Sequence, residues 1–403
     1  MSGAVLIQLA RLGDLAQSLP VITALHSRYP DQSLDLLCPS PLAPLGELFP
    51  GIAKVYPWDG AIWQPNSMDT DRSWAQQLRH MKQVWTQQSF PTYSVAYNLN
   101  NHPRSILAAH LLADTVVGPG SCGPVNPWLS PWGDYLRTVA RHRGSNRVHL
   151  SDAFCGLCQV RPPTNSVSLV PAEMARSSEL AWLGDFSGRP IIGMIVGAGD
   201  PERRIPVAIW KELIQACAAS LPDACFFLIG GEGEREIGLT IENILPASCL
   251  NRVMNVCGTT SLVQLVALLS RCQWVMGSDT GPLHLGALCG ARAVGWYFAR
   301  ARVHETGPYG EGHYVWQYSQ DGEGESAQRL APLAVPAVWP VWETVRVVLG
   351  QHVTAMSGLW SLWESQQDEL GTYYQGPENA DVARHARQEI WERLSPDLAY
   401  LKA

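Results

Sequence analysis

Two short loops hold the residues whose types and spacing suit chemistry. Trp274 to Gly286 reads W-V-M-G-S-D-T-G-P-L-H-L-G: an apolar run ends in small and polar residues, and Pro282 opens a helical pattern. A strand, a tight turn and a helix N-terminus in this order present unpaired backbone N–H groups and the positive end of a helix dipole, an anion-binding arrangement. Ser278, Thr280 and His284 add side-chain donors, and Asp279 can accept hydroxyls, so the turn suits a phosphorylated sugar. The same pattern also occurs as a plain helix cap. The second loop, Arg11-Leu12-Gly13-Asp14, follows the first apolar run, where ligands of open α/β sheets bind. There Asp14 can act as a general base or as a helix cap.

A third turn, Gly197 to Pro206 (G-A-G-D-P-E-R-R-I-P), carries Arg203 and Arg204, which can neutralise a diphosphate or stand solvated on the surface. Glu232 and Glu234, in the turn after the next strand, suit ribose hydroxyls or solvent. Asp69-Thr-Asp71 matches a short metal-and-nucleotide pattern but lies in a polar loop, so metal-free chemistry is favoured. G-x-G-x-x-G is absent after the first strand, and no dinucleotide fingerprint is read. Cys155-Gly-Leu-Cys158 has redox or half-zinc spacing without a second pair, and is read as two buried apolar thiols.

The elements that must position these loops alternate in the β-α-β manner of a parallel, doubly wound sheet. Strands are expected at Ala4–Leu9, Leu34–Cys38, Ile52–Tyr56, Ser94–Leu99 and Thr115–Val117, with helices led by Leu15, Leu19, Ile22 and Leu25 and over Ile106–Leu112. Pro119–Arg147 is rich in Gly, Pro, Trp and Arg and reads as long functional loops or a lid. Val160–Arg189 reads as a junction, after which the alternation restarts: strand Ile191–Val196, a helix with Trp210, Leu213, Ile214 and Cys217 on one face, strand Cys225–Ile229, and a Ser261/Gln264 capping box past Thr260. Strand Gln273–Met276, a helix to Cys289 stopped by Gly290, and strand Ala293–Phe298 follow. Helical segments are expected through Trp339–Glu364 and Asp381–Leu394. The domains implied are 1–180, 188–330 and a helical segment 331–403 packing back on the first.

Composition narrows the class. At 403 residues, 46% hydrophobic and 16% charged, the chain is globular and long enough for two cores. A net charge of -7, from 29 basic and 36 acidic residues, lacks the basic excess of a nucleic-acid binder. Met1–Leu9 has no basic n-region and reads as a first strand, no apolar run reaches about 18 residues, and a reduced, cytoplasmic protein is expected. Trp339, Trp342, Trp360 and Trp363 have few basic companions, which argues against an electrostatic membrane anchor.

Taken together, the motifs resemble the heptosyltransferase-like sugar transferases (glycosyltransferase family 9), which include the ADP-heptose transferases of lipopolysaccharide core assembly. V-L-I-Q-L-A-R-L-G-D-L-A-Q-S-L-P looks like the family's opening strand, catalytic loop and first helix; the Trp274 segment through Phe298 is similar to its most characteristic motif, followed by E-T-G-P-Y-G at Glu305 to Gly310. Y-S-V-A-Y-N-L-N-N-H-P-R-S, with Asn98, Asn100 and Arg104, and R-R-I-P-V-A-I-W add to the likeness, which covers roughly residues 1 to 315. The resemblance implies two facing doubly wound Rossmann-like domains of the GT-B type, Asp14 as base, and inversion without a metal or other cofactor. It puts the donor on Arg203, Arg204, Glu232, Thr260, Ser278, Asp279, Thr280, Gly281 and His284, and the acceptor near Arg11, Gly13, Asn98, Asn100 and Arg104. The implied partners are a nucleotide-sugar donor, ADP-heptose in the family, and a glycan or glycolipid acceptor, through which the chain would touch the inner face of the membrane. Two departures stand out: Arg203 replaces the family's usual lysine, and Ile205 replaces the tryptophan before Pro206. A sugar-nucleotide epimerase and a non-catalytic nucleotide-sugar-binding protein are the alternatives; only the epimerase would turn over donor without acceptor.

Overall fold

A computed structural model of the chain describes residues 3–58, 83, 85–87, 89–121, 130–169, 186, 188–319, 336–377 and 380–395. Asp69 and Asp71 lie outside the described residues. Two parallel sheets organise the molecule. The first contains β1 (Ala4–Ile7), β2 (Leu34–Pro39), β3 (Val55–Trp58), β4 (Tyr93–Asn98) and β5 (Ala113–Val117), in the order β3-β2-β1-β4-β5. All its pairings are parallel. β1 is central and fully buried, as a four-residue apolar run between two helical layers should be. β3 starts three residues later than the apolar pattern suggests and contains Pro57, which a strand paired on one side only tolerates.

The second sheet contains β6 (Ile191–Ile195), β7 (Cys225–Ile229), β8 (Val253–Asn255), β9 (Cys272–Ser278), β10 (Arg292–Tyr297) and β11 (Tyr314–Tyr318). Its parallel part runs β8-β7-β6-β9-β10-β11, the doubly wound order in which the winding reverses between β6 and β9. The first sheet reverses in the same way between β1 and β4. In such sheets ligands bind at the carboxyl ends of the strands beside the reversal, which is where the loops after β1, β6 and β9 leave.

The chain after residue 336 differs from its sequence reading. A helix does form, but only over Val341–Val348, and another spans Ala380–Leu394. Between them β13 (Trp360–Asp368) extends the second sheet antiparallel to β11, and β12 (Met356–Ser357) and β14 (Gly371–Gln375) each pair antiparallel with β13. The sequence reading has a helix through Glu364, yet the free edge of β11 offers a ladder of backbone partners that outweighs local preference. Gly358 and Gly371 adopt positive φ (61° and 101°) at the turns bounding β13. Pro119–Arg147 differs too: Ser130 Oγ accepts the Gly133 N–H and Pro131 starts a helix through Val139, an N-cap and first-turn proline within a stretch read as loop.

The last helix packs on the first sheet's side of the molecule. The Trp391 and Trp132 ring centroids lie 4.6 Å apart, and Trp132 Nε1 donates to Ser395 Oγ at 2.7 Å. Asp152, in the buried helix Leu150–Leu157, accepts the Tyr309 hydroxyl (2.9 Å) and the Thr372 N–H (3.0 Å), which ties the first sheet's helical layer to β14. Fully buried Arg387 grips Asp368 with two hydrogen bonds, 3.0 and 2.7 Å. Nine cysteines are free and buried; Cys122 lies outside the described residues. Burial pushes the thiols of Cys155 and Cys158 well up, so both behave as inert apolar groups.

Candidate active site between the two sheets

The helices Leu12–Ala16 and Gly281–Leu288, which follow β1 and β9, start face to face. Glycines make the approach: a Cβ on Gly281 would fall 2.7 Å from Leu12 Cγ, and one on Gly13 would fall 3.4 Å from His284 Cδ2. A cavity of about 440 Å³ opens here. Its walls come from the Arg11–Asp14 loop, the turns after β6 (Gly197–Gly199, with Arg203) and β7 (Gly230, Gly231, Glu234), and the Asp279–Pro282 turn with His284. A second cavity of about 290 Å³ lies beside it, walled by Asn100, Asn101, Arg143, Asn146, Glu305 and apolar side chains including Leu99 and Phe154. Asp14 and Thr306 belong to the walls of both.

Asp14 is held in place by its own loop. Its Oδ2 accepts the Arg11 N–H at 3.2 Å, so the carboxylate does cap the first turn. Its backbone carbonyl is fixed by Ser18 Oγ (2.9 Å) and Gln8 Nε2 (3.4 Å). Burial raises the Asp14 carboxyl above its ordinary value; the Arg11 N–H and His284 oppose this and Asp279 adds to it. A buried carboxylate with a raised pKa in the wall of both cavities is equipped to take a proton.

Asp279 is buried but kept ionised. Burial alone would raise its pKa, and the His284 hydrogen bond and charge, Arg203 and the Thr306 hydroxyl together bring it below the ordinary carboxylate value. His284 Nε2 lies 3.1 Å from Asp279 Oδ1, and Arg203 Nη1 donates to both Asp279 Oδ2 (3.0 Å) and its carbonyl (2.6 Å). Among the described residues His284 Nδ1 and Thr280 Oγ1 are buried without a hydrogen-bond partner. Buried polar atoms left open at a cavity wall are what a polar ligand would satisfy.

The remaining residues singled out from the sequence divide clearly. Gly13 and Arg11 line the larger cavity rather than a separate acceptor face. Asn98 is fully buried, its Nδ2 donating to the carbonyls of Asn100 (3.1 Å) and Pro119 (2.8 Å), so it braces a loop and reaches neither cavity. Asn100 also braces: its Oδ1 accepts the Leu9 N–H and its Nδ2 donates to Gln8 Oε1, both at 2.6 Å, and it borders the smaller cavity. Arg104, Arg204, Thr260 and Ser278 line neither cavity. Glu232 is exposed; Glu234 occupies the wall instead, its Oε2 accepting the Gly231 N–H at 2.9 Å. The short 3-10 turn Glu232–Glu234 separates the two acids.

Sequence reasoning missed Gln8, Arg143 and Glu305 as parts of the site. Glu305 stood in the E-T-G-P-Y-G stretch, but its role depends on a partner about 160 positions away: Arg143 Nε lies 3.2 Å from Glu305 Oε2. Burial pushes the Glu305 carboxyl up to about 7, against the pull of Arg143. The adjoining loop is clamped from the first sheet's side by His149, whose Nδ1 accepts the Ser151 N–H and whose Nε2 donates to the Gly307 carbonyl at 2.6 Å. Burial lowers the His149 pKa to about 4, which keeps the ring neutral in this tautomer. Among the described residues no group of three or more His, Cys, Asp or Glu is arranged to hold a metal ion, and no helix is long and apolar enough to cross a membrane.

Two doubly wound parallel sheets whose loops meet at a shared cavity give an α/β architecture of the GT-B type. Residues 157–330 match the family model for glycosyltransferase family 9 (heptosyltransferase), which with the shared fold indicates a glycosyltransferase. Solved structures share the fold. *Escherichia coli* ADP-heptose lps heptosyltransferase II superposes with a TM-score of 0.64 at 19% identity, over 86% of this chain and 98% of that one. A family 9 glycosyltransferase from *Veillonella parvula* gives 0.59 at 16%, over 80% and 88%. *E. coli* heptosyltransferase WaaC with ADP gives 0.56 at 15%, over 78% and 93%. No curated protein matches the sequence significantly.

Proposed function

We propose that the chain transfers a heptose, or a similar sugar, from an ADP-linked donor to a hydroxyl of a cell-surface glycan or glycolipid such as lipopolysaccharide core, with inversion and without a metal. The observation that carries this reading is the position of Asp14 in the wall shared by the two cavities. In the larger cavity the donor diphosphate meets the N-terminus of helix Gly281–Leu288 and Arg203, while Asp279 and His284 hold polar groups of the donor. An acceptor hydroxyl in the smaller cavity gives its proton to Asp14. Its oxygen bonds to the anomeric carbon from the face opposite the diphosphate, the bond from that carbon to the phosphate oxygen breaks, and ADP departs with the electron pair. One displacement inverts the anomeric centre. The two structural relatives from *E. coli* named for heptose transfer, one of them solved with ADP, support this choice of donor.

Thermal shift with ADP-, UDP- and GDP-sugars, followed by nuclear magnetic resonance of the product, tests the proposal. Only the ADP-sugar should stabilise the fold strongly. Preference for another nucleotide would remove the donor assignment, a retained anomeric configuration the inversion, and inhibition by a chelator the metal independence.

A further inference from the structure

We propose that the cavity beyond Asp14 seats an uncharged sugar ring of the acceptor, with Glu305 and Arg143 as the paired residues that exclude acidic sugars. This rests on the reading of Asp14 as the base between donor and acceptor. The cavity is small, about 290 Å³, and is walled by side chains of two kinds. Asn101 and Thr306 offer neutral hydrogen-bonding groups, Asn100 and Asn146 are neutral with side chains bonded within the protein, and Leu136, Val139, Val148, Leu150 and Phe154 are apolar. Carboxamides and a hydroxyl beside apolar walls suit a ring that presents hydroxyls at its edge and C–H groups on its faces. Asn101 Oδ1 is buried without a hydrogen-bond partner among the described residues, an acceptor for a ligand hydroxyl.

Charge defines the class further. The charged groups of this wall are Asp14, Glu305 and Arg143. Arg143 is committed: its Nε faces Glu305 Oε2 at 3.2 Å and its Nη1 donates to the Arg300 carbonyl at 3.0 Å. Arg302 also acts on Glu305, but its Nη1 is held by the carbonyls of Ala299 and Ala301. Above about pH 7, where Glu305 is ionised, it matches Arg143, and the described wall then holds no uncompensated cation for a ring carboxylate or phosphate. An acidic ring would bring a like charge towards Asp14 and Glu305 as it lost water, which disfavours it. The pair also spans the two domains, so specificity and closure of the cavity depend on the same contact: Arg143 follows the helix Pro131–Val139, and Glu305 follows β10.

The test uses the full chain saturated with ADP, and competition by an intact ADP-sugar separates a probe held in the donor's sugar position from one held in the smaller cavity. Saturation-transfer nuclear magnetic resonance measures binding of methyl α-mannopyranoside and of the matching methyl α-mannopyranosiduronic acid. The neutral glycoside should bind at least about tenfold more tightly. Glu305→Gln leaves Arg143 uncompensated and should narrow or reverse that ratio, while Arg143→Gln should widen it. Equal or tighter binding of the acid by the unaltered chain overturns the inference without any variant, as does binding of neither sugar while ADP still binds. If ADP itself fails to bind, the proposed function fails instead.

Discussion

At the scale of single residues, two carboxylates and one arginine decide most of the expected behaviour. Asp14→Asn should lower turnover by roughly 10²- to 10⁴-fold, the usual contribution of a general base, while ADP still protects the fold against heat. Retained turnover would transfer the proton to another group. Because burial raises the Asp14 pKa, activity should fall on acidification through a value above the ordinary carboxylate range, and a pH–rate profile should show that limb. Arg203→Ala removes the guanidinium that bonds Asp279 twice, and the loss of a charged hydrogen-bonding partner should weaken ADP binding by roughly 10- to 100-fold in calorimetry. Glu305 has its folded-state pKa raised to about 7, so its favourable contribution is complete below the unfolded value near 4.5 and is lost as the pH rises through about 7. The melting temperature of Glu305→Gln should accordingly decline less than that of the unaltered chain between pH 5 and pH 8.

At the scale of elements, the opposed helix starts after β1 and β9 matter more than either helix alone. Gly281→Ala puts a methyl group against Leu12 Cγ at 2.7 Å, close to the branch of that side chain, so the helices must part. Overpacking of this kind costs about 1–3 kcal/mol, and the parting should also reduce ADP affinity. Calorimetric binding and a urea melt of the same variant separate the two effects; unchanged values in both would show that the approach is not tight. The cap chemistry behaves as the sequence suggests at Ser261–Gln264, where both reciprocal capping hydrogen bonds form, at 3.2 and 3.0 Å. Asp14 combines cap and candidate base in one side chain, two roles that spacing alone had left as alternatives.

At the scale of the whole molecule, the C-terminal segment returns to the side of the first sheet. Trp391 and Trp132 meet there, and Asp152 joins the helix Leu150–Leu157 to Tyr309 and Thr372. Trp391→Ala should therefore destabilise the fold by about 3–5 kcal/mol, read from denaturant unfolding followed by tryptophan fluorescence. A change below about 1 kcal/mol, the scale of a substitution without tight packing, would mean that this contact is marginal.

The alternation of apolar runs and helical spacing was enough to place β1, β2, β4, β6, β7, β9 and β10 within a few residues, because each is a short buried run between turn-forming residues. The two loops centred on Asp14 and Asp279 were legible for the same reason: strand, small residues and helix start are a local pattern. β13 was not, since a strand that completes the edge of β11 owes its form to a partner more than forty residues away in the chain, and β14 follows only once β13 is in place beside it. Nor was the smaller cavity legible, because no spacing pairs Arg143 with Glu305 or brings Gln8 beside Asn100. Local sequence determined which residues could bind anions or move a proton. Only tertiary structure decided that Glu234 rather than Glu232 enters the wall, that Asn98 braces a loop, and that Asp14 stands between two cavities, because those outcomes depend on how separate loops meet across the two sheets.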